Sequence, residues 1–162
     1  MDIKIAPSKA VGEITAPPSK SLAHRALIFG ALSEKSVIKN VAFSKDIEAT
    51  LNCLKSLGAS VLVNENTVTV GGLDIKNIPE NAKLPCFESG STLRFFLPLC
   101  MAAGKKITLF GAKRLFERPL TVYSEIAKEQ GIEFFKTEDS VTVCGSLKSG
   151  EYSVAGNISS QF

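Results

Sequence analysis

The sequence contains very few of the residues that most metal sites and nucleophilic sites require. Its 162 residues include one histidine, His24, four cysteines and no tryptophan. The cysteines stand at Cys53, Cys86, Cys100 and Cys144. They form no Cys-x-x-Cys pair and have no matching histidines, so we expect buried free thiols and neither a metal site nor a disulfide framework. No nucleophile elbow accompanies His24, which we expect to be structural.

A strong charge of one sign and a long apolar run are also missing. The 19 basic and 16 acidic residues give a net charge of +3, and no basic stripe alternates with aromatic residues, so we expect no nucleic-acid partner. Charges such as Arg25 and Arg94 keep every apolar run shorter than the ~18 residues of a membrane span, and the first residues lack the apolar region of a signal peptide. We therefore expect a cytoplasmic protein with no membrane partner.

What the chain does contain is a serine-rich turn, repeated three times, that follows a strand-like run and opens a helix. The turns lie at residues 17–21, 88–92 and 157–161. Such turns place hydroxyls and backbone N–H groups at the positive end of a helix dipole, where anions bind. Lys20 and Arg25 stand at the first turn and Arg94 at the second. The pattern predicts an anion site assembled from repeated units.

The repetition extends beyond these turns. Residues 64–72 match residues 137–145 without a gap, and Gly58 matches Gly131 at the same offset of 73 residues. Further upstream the offset is 70 residues, so we infer an insertion of three residues before the second helix of the second unit. The chain therefore contains a structural repeat of about seventy residues, longer than common solenoid periods.

Period and turn residues predict the elements of each unit. The first unit is read as a strand over 13–16, a helix over 21–32, a strand over 36–41, a helix capped by Asp46 that ends at Gly58, and a hairpin over 60–70. The second is read as a strand over 84–87, a helix over 91–103 with Pro98 inside it, a strand over 106–110, a helix from Pro119 to Gln130, and a hairpin turning at 138–139. Both units have the order βαβαββ.

The first helix of each unit, beginning at Ser21 and at Ser91, is apolar on most of its faces. Such a helix belongs in the interior, so we expect the two helices to lie side by side, buried and roughly parallel, with the sheets outside them. The predicted fold class is therefore α/β (α+β), with repeats over 12–72 and 83–146 and the start of a third over 150–162.

Four ordered segments resemble the family of 5-enolpyruvylshikimate-3-phosphate synthase. Residues 18–27 closely resemble its N-terminal signature, 88–94 its glycine-containing loop, 116–120 its Glu-Arg-Pro motif and 156–162 its Ser-Ser-Gln motif. The resemblance implies an inside-out α/β barrel in which each of two domains contains three βαβαββ units. Residues 1–162 would then be an incomplete N-terminal domain, with residues 1–11 packing against the missing second domain.

The activity that the resemblance implies is transfer of the enolpyruvyl group of phosphoenolpyruvate to the 5-hydroxyl of shikimate 3-phosphate, with release of phosphate. The reaction proceeds by addition and elimination and needs no metal or other cofactor. Both substrates carry phosphate and carboxylate groups, so the site must hold several negative charges. Helix N-termini with lysine and arginine suit that task.

Matching motif positions assigns the site residues. Shikimate 3-phosphate would be bound by Lys20, Ser21, Arg25, Ser159, Ser160 and Gln161. Phosphoenolpyruvate would be bound by Lys20, Gly90, Arg118 and Gln161. Lys20 would contact both substrates and is the candidate catalytic residue. Asp46 and Arg94 are interpreted as structural, a helix cap and a charge at a helix start, with Arg94 nearer to the substrates.

The chain departs from the family's usual pattern in one loop and in length. Residues 88–91 read Glu-Ser-Gly-Ser where many members have Asn-Ala-Gly-Thr, and Phe95 stands where many have proline. Both changes border the expected phosphoenolpyruvate site, and so bear on how mimics such as glyphosate fit. Family members are more than twice as long, so we expect a truncated chain or one piece of a split enzyme, inactive alone, with the C-terminal part as a covalent or split partner.

Two other functions stay open from the sequence. A relative of UDP-N-acetylglucosamine enolpyruvyl transferase would share the repeats, although that family typically has a Lys-Asn pair in place of the segment around Lys20 and Arg25. The chain is otherwise a non-catalytic module that binds an anion such as shikimate 3-phosphate.

Overall fold

The computed structural model describes residues 3–4, 6–7, 9 and 11–154. Their helices and strands, in chain order, are α1 (Lys20–Ala31), β1 (Ser36–Ile38), α2 (Lys45–Ser56), β2 (Ser60–Asn64), β3 (Thr67–Gly71), β4 (Lys83–Phe87), α3 (Gly90–Ala102), β5 (Ile107–Gly111), α4 (Lys113–Phe116), α5 (Thr121–Gln130), β6 (Glu133–Lys136) and β7 (Ser140–Cys144), with a short 3₁₀ helix at Ile75–Asn77 between β3 and β4. Within these residues no helix is both long enough and apolar enough to cross a membrane.

The strands form two separate sheets, one for each unit. The first has the order β1-β3-β2 and is antiparallel throughout. The second has the order β4-β5-β7-β6, in which β4 and β5 are parallel and the other pairs are antiparallel. The two hairpins correspond as the sequence predicts: Val68 and Val70 on β3, and Val141 and Val143 on β7, are all buried. Alternate residues of both strands therefore face the core.

The first sheet lacks the strand predicted at 13–16, and that prediction is wrong. Residues 13–19 have no regular secondary structure, and Ile14 is 93% exposed. A β-branched residue favours a strand only where a neighbouring strand and a packed surface accept it, and within residues 11–154 this segment has neither. The described elements of the first unit therefore run αβαββ, whereas the second unit runs βαβααββ, which is the predicted βαβαββ with the short helix α4 added.

Serine side chains cap the two helices of the first unit, α1 and α2, and the first helix of the second unit, α3. Ser19 accepts a hydrogen bond from the backbone N–H of Leu22, and Ser44 and Ser89 do the same at α2 and α3. The prediction that Asp46 caps α2 is wrong, because Ser44 takes that position and Asp46 falls in the first turn. Its carboxylate still lies at the positive end of the helix dipole, but it is available to another partner.

The predicted three-residue insertion lies between β5 and α5. That connection has nine residues, 112–120, whereas the equivalent connection between β1 and α2 has six, 39–44. The longer connection contains α4, which the sequence did not predict, and Arg118. It also delays the start of α5 to Thr121, so Pro119 precedes that helix and is not in its first turn. The predicted helix ends are confirmed, since Gly58 and Gly131 follow α2 and α5 with φ of +98° and +68°.

One apolar core runs through both units. Helix α3 lies deepest, with Phe96 and Leu97 fully buried, and it continues through Pro98. Helix α1 buries Leu27 against the core, but Leu22 and Phe29 are 66% and 70% exposed. The prediction of a buried first helix is therefore confirmed for α3 and only in part for α1.

Candidate anion-binding site

The N-terminus of α1 carries the first cluster of predicted site residues. Ser19 caps the helix, and Lys20 and Ser21 form its first turn. Lys20 Nζ lies 2.5 Å from Asp46 Oδ2 on α2, with the two side chains 55% and 28% exposed. Asp46 thus holds an ammonium group over a helix N-terminus, the position in which the charge can meet an anion.

Arg25 lies one turn further along α1 and points back toward the same end. Its Nη1 donates to the carbonyl oxygen of Ser21 at 3.3 Å and to the Ser21 hydroxyl. Its guanidinium carbon lies 4.8 Å from the centroid of the Phe95 ring on α3. Arg25 is therefore held by contacts on two helices, and its guanidinium offers further N–H groups to a ligand.

The N-terminus of α3 carries the second cluster. Gly90 is the first residue of the helix, and Ser89 caps it. A Cβ atom built on Gly90 would lie 2.9 Å from Arg118 Nη1 and 3.2 Å from Arg94 Nη1. The glycine therefore provides the space in which two guanidinium groups approach one helix N-terminus. Three sources of positive electrostatic potential therefore lie at the N-terminus of α3: the helix dipole, Arg94 and Arg118.

A pocket of about 350 Å³ opens beside this second cluster. Its lining comprises Glu88, Ala112, Arg114, Leu115 and Arg118. Most of these residues come from the connection that contains the insertion, so the insertion builds one wall of the pocket. The volume suits a small molecule.

Arg94 is the more buried arginine beside Gly90. Burial lowers the pKa of Arg94, and the positive charge of Arg118 lowers it further, while Tyr123 acts in the opposite direction. A guanidinium remains charged at neutral pH even so. The guanidinium groups of Arg94 and Arg118 both lie close to the same position beside Gly90, so their positive charges repel each other. A bound anion would relieve that repulsion.

Buried hydrogen bonds connect the helices that carry the two clusters. His24 Nδ1 on α1 lies 2.7 Å from Thr50 Oγ1 on α2, which lies 2.9 Å from Thr92 Oγ1 on α3. The Thr92 hydroxyl is also 2.7 Å from Ser89 Oγ and 3.3 Å from the carbonyl oxygen of Asp46. These bonds tie the starts of α2 and α3 together beneath the site. They link the partner of Lys20 to the cap of the helix that begins at Gly90.

Burial favours the neutral form of His24 in this network. Its ring is fully buried, and Nε2 has no hydrogen-bond partner among the residues that the structure describes. Burial lowers the pKa of His24, as do the nearby charges of Lys20 and Arg25, against the opposing effect of Asp46. The expectation of a structural His24 agrees with this position, because the ring is inaccessible and bonded to the core.

The structure brings the predicted site residues together in two groups. Lys20, Ser21 and Arg25 share one helix N-terminus, and Gly90 and Arg118 share the other. The predicted residues Ser159, Ser160 and Gln161 lie outside the described residues.

The sequence reasoning missed the ion pair of Asp46 with Lys20 and the network that Thr50 forms. Ser44 just before α2 was the available signal for the first, since serine is a strong cap and leaves Asp46 free to pair. For the second there was no signal, because buried threonines in different helices carry no sequence mark of their pairing.

Comparison with known proteins shows which family has sequences similar to that of this chain. The family model of EPSP synthase (3-phosphoshikimate 1-carboxyvinyltransferase) matches residues 5–162. The 3-phosphoshikimate 1-carboxyvinyltransferase of Clostridium kluyveri is 46% identical over 99% of this chain and 38% of its own length. That of Clostridium novyi is 47% identical over 99% of this chain and 40% of its own length. The chain thus spans about two fifths of the length of these curated relatives.

A solved structure gives the same result for the fold. The EPSP synthase of Acinetobacter baumannii superposes with a TM-score of 0.74 at 21% identity, over 93% of this chain and 36% of that one. The predicted fold class is confirmed by this likeness, which covers part of a longer mixed α/β protein. With a family match that extends from residue 5 to residue 162, the chain belongs to the EPSP synthase family.

Proposed function

We propose that this chain is the N-terminal part of an enzyme that transfers the enolpyruvyl group of phosphoenolpyruvate to the 5-hydroxyl of shikimate 3-phosphate, releasing phosphate, in the shikimate pathway of aromatic amino acid biosynthesis. One observation carries the proposal beyond family membership. Two neighbouring helix N-termini each hold motif residues with cationic side chains: Lys20 and Arg25 at α1, and Arg118 over Gly90 at α3. Two anionic substrates need two such sites within reach of each other.

Each residue has a role in this proposal. Ser21 and Arg25 bind shikimate 3-phosphate, together with Ser159 and Ser160 from the third repeat. Lys20 is a compact charge on a flexible stem, which suits a group that contacts both substrates.

Phosphoenolpyruvate lies against Gly90, where the absence of a side chain lets the ligand and the two guanidinium groups come close to the backbone. Arg118 binds its charged group, and Gln161 lies between the two substrates. Arg94, interpreted from the sequence as structural, adds positive potential to this site.

The residues of this chain contribute binding and electrostatic stabilisation. Negative charge moves to the departing phosphate as the addition intermediate collapses, and fixed cations lower the free energy of that step. Asp46 orients Lys20 and keeps its ammonium group near the site before substrate arrives. No step of this proposal requires a metal or another cofactor.

The chain alone is expected to be inactive, because the second domain supplies the rest of the charge constellation and catalysis depends on complete preorganisation. The C-terminal part of the enzyme is the expected covalent or split partner, with residues 1–11 packing against it. We place the enzyme in the cytoplasm. Turnover by the purified 162-residue chain, with contaminating enzyme excluded, would refute the inactivity.

Calorimetric titration with shikimate 3-phosphate tests the binding part of the proposal. We expect heat with shikimate 3-phosphate and none with UDP-N-acetylglucosamine, in keeping with relatives that are 3-phosphoshikimate 1-carboxyvinyltransferases. The reverse result would favour the sibling transferase. Binding without activity, even when the missing C-terminal part is added, would favour a non-catalytic module.

Lys20→Met is the decisive variant. It should weaken shikimate 3-phosphate binding by more than about 1 kcal/mol, the scale of a charge-assisted hydrogen bond. Both partners of the ion pair with Asp46 are partly exposed, 55% for Lys20 and 28% for Asp46, so its loss should cost about 1 kcal/mol of stability at most. Lys136→Met, an exposed lysine on β6, is the matched control and should bind as the wild type does. Equal affinities for both variants would contradict the assignment of Lys20.

A further inference from the structure

The side chain of Phe95 touches the candidate site without belonging to either helix N-terminus. It lies in α3 directly after Arg94, where many members of the family have proline. Its ring is half-buried and packs against the apolar core. The guanidinium carbon of Arg25 lies 4.8 Å from the ring centroid, within the range of a cation–π contact. The ring therefore joins the apolar core to a charged group at the N-terminus of α1.

This contact comes from a different helix than the one that holds Arg25. On α1 itself, Arg25 is bonded only through Nη1, to the carbonyl and hydroxyl of Ser21, as far as the described residues show. A long arginine side chain has several rotatable bonds, and one bonded nitrogen does not fix its plane. The Phe95 ring supplies the second point of attachment. With both contacts made, Nε and Nη2 remain for an anion in a fixed direction.

The neighbouring residue His24 shows why the ring itself is well placed. Its imidazole is fully buried and bonded to Thr50, and its centroid lies 6.4 Å from that of Phe95 at an interplanar angle of 59°. The tilted arrangement is one that aromatic pairs favour. Phe95 is thus packed against a residue anchored in the buried network, and its position is set by the core. A proline at this place has no ring face to offer to a guanidinium.

We propose that Phe95 is a positioning residue that orients Arg25 for binding of shikimate 3-phosphate. It acts through Arg25 and does not itself contact the substrate. The inference rests on the proposed function, in which Arg25 belongs to the shikimate 3-phosphate site. It adds a residue at a place where many members of the family have proline, which carries no aromatic ring.

A double-mutant cycle tests the inference. The variants are Phe95→Leu, which removes the ring, Phe95→Tyr, which keeps it, and Arg25→Gln alone and combined with Phe95→Leu. We expect Phe95→Leu to weaken shikimate 3-phosphate binding about three- to tenfold, the range of a partly desolvated cation–π contact. Phe95→Tyr should stay within about twofold of the wild type. In the Arg25→Gln background the loss caused by Phe95→Leu should disappear, because residues that act through one another are not additive.

Controls separate positioning from general damage. Phe135→Leu, an exposed aromatic residue on β6, should bind as the wild type does. Thermal melts show whether each variant folds, and Phe95→Met replaces Phe95→Leu if that variant does not. Wild-type affinity for the variant without a ring, or an equal loss in the Arg25→Gln background, would overturn the inference.

A second measurement distinguishes failure of the inference from failure of the proposed function. In the ligand-free chain, nuclear Overhauser contacts should connect the Phe95 ring protons with the Arg25 side chain. If the wild-type chain does not bind shikimate 3-phosphate but the contacts are seen, the proposed function is wrong and Phe95 orients Arg25 for no such ligand. If binding occurs and the contacts are missing, the positioning role is wrong and the proposed function stands.

Discussion

Replacement of Thr50 by valine tests the buried network beneath the site. The Thr50 hydroxyl bridges His24 Nδ1 at 2.7 Å and Thr92 Oγ1 at 2.9 Å, and all three residues are fully buried. Valine has nearly the same shape but no hydroxyl. The substitution therefore removes hydrogen bonds without opening a cavity, and it leaves the β-branched character of the helix position unchanged.

The expected loss of stability follows from what remains unpaired. Without the hydroxyl, His24 Nδ1 loses the hydrogen bond to Thr50, and a buried polar group without a partner costs about 1–3 kcal/mol. Thr92 is less affected, because Ser89 Oγ and the Asp46 carbonyl still lie within hydrogen-bond distance. The methyl group that replaces the hydroxyl stabilises the folded chain by about 0.8 kcal/mol through apolar burial. We therefore expect Thr50→Val to lower the free energy of unfolding by about 0.2–2.2 kcal/mol, the difference between this cost and this gain.

Urea unfolding at pH 7.5 measures this change. The slope of the free energy of unfolding against urea concentration should be the same as in the wild type, because the surface exposed on unfolding is unchanged. The urea concentration at the midpoint of unfolding should fall. Thr121→Val is the matched control, because Thr121 is exposed at the start of α5, and it should stay within about 0.5 kcal/mol of the wild type. A Thr50→Val chain as stable as the wild type would refute the view that this network holds the helices in place.

Two further predictions concern pH and the space beside Gly90. Because burial holds the pKa of His24 below its ordinary 6.5, the unfolded chain binds more protons between the two values, so stability should fall as pH drops below about 6.5. Urea unfolding at pH values from 7.5 to 5.5 should show the free energy of unfolding falling by at most about 1.4 kcal/mol per pH unit. His24→Gln should reduce this pH dependence. The same pH dependence in the wild type and in His24→Gln would contradict the assignment to His24. Gly90→Ala should leave the free energy of unfolding unchanged or raise it by up to about 1 kcal/mol, because alanine favours the helix. The atoms that the new Cβ would meet are the ends of arginine side chains, which can move aside. A loss above about 1 kcal/mol in the same assay would disprove the described packing.

The repeat and its hairpins were predictable because they depend on short-range patterns. Alternating valines around a polar turn predict a hairpin, and the match of residues 64–72 with 137–145 places both hairpins at once. Gly58 and Gly131 predict helix ends because glycine readily adopts the positive φ that ends a helix, and both residues have positive φ in the structure. The offset between the two matches also predicted the length of the insertion, although not the helix α4 that it contains.

The remaining features depend on contacts between distant segments. The strand predicted at 13–16 failed because strand formation needs a neighbouring strand, which a local pattern does not reveal. The position of Asp46 before an apolar run predicts a helix cap, whereas its pairing with Lys20 arises only when α1 and α2 pack together. The approach of Arg118 to Gly90 likewise joins segments almost thirty residues apart, and only the family resemblance indicated it.

The N-terminus of α1 is the site that we propose for shikimate 3-phosphate. The most direct test of this proposal is titration of the isotope-labelled chain with shikimate 3-phosphate, followed residue by residue by NMR. We expect the largest shifts at the backbone amides of Lys20 and Ser21 and at the Arg25 side chain, and we expect them to saturate and to be lost in Lys20→Met. Shifts confined to another surface, such as the hairpin of β6 and β7, or no shifts at all, would contradict it.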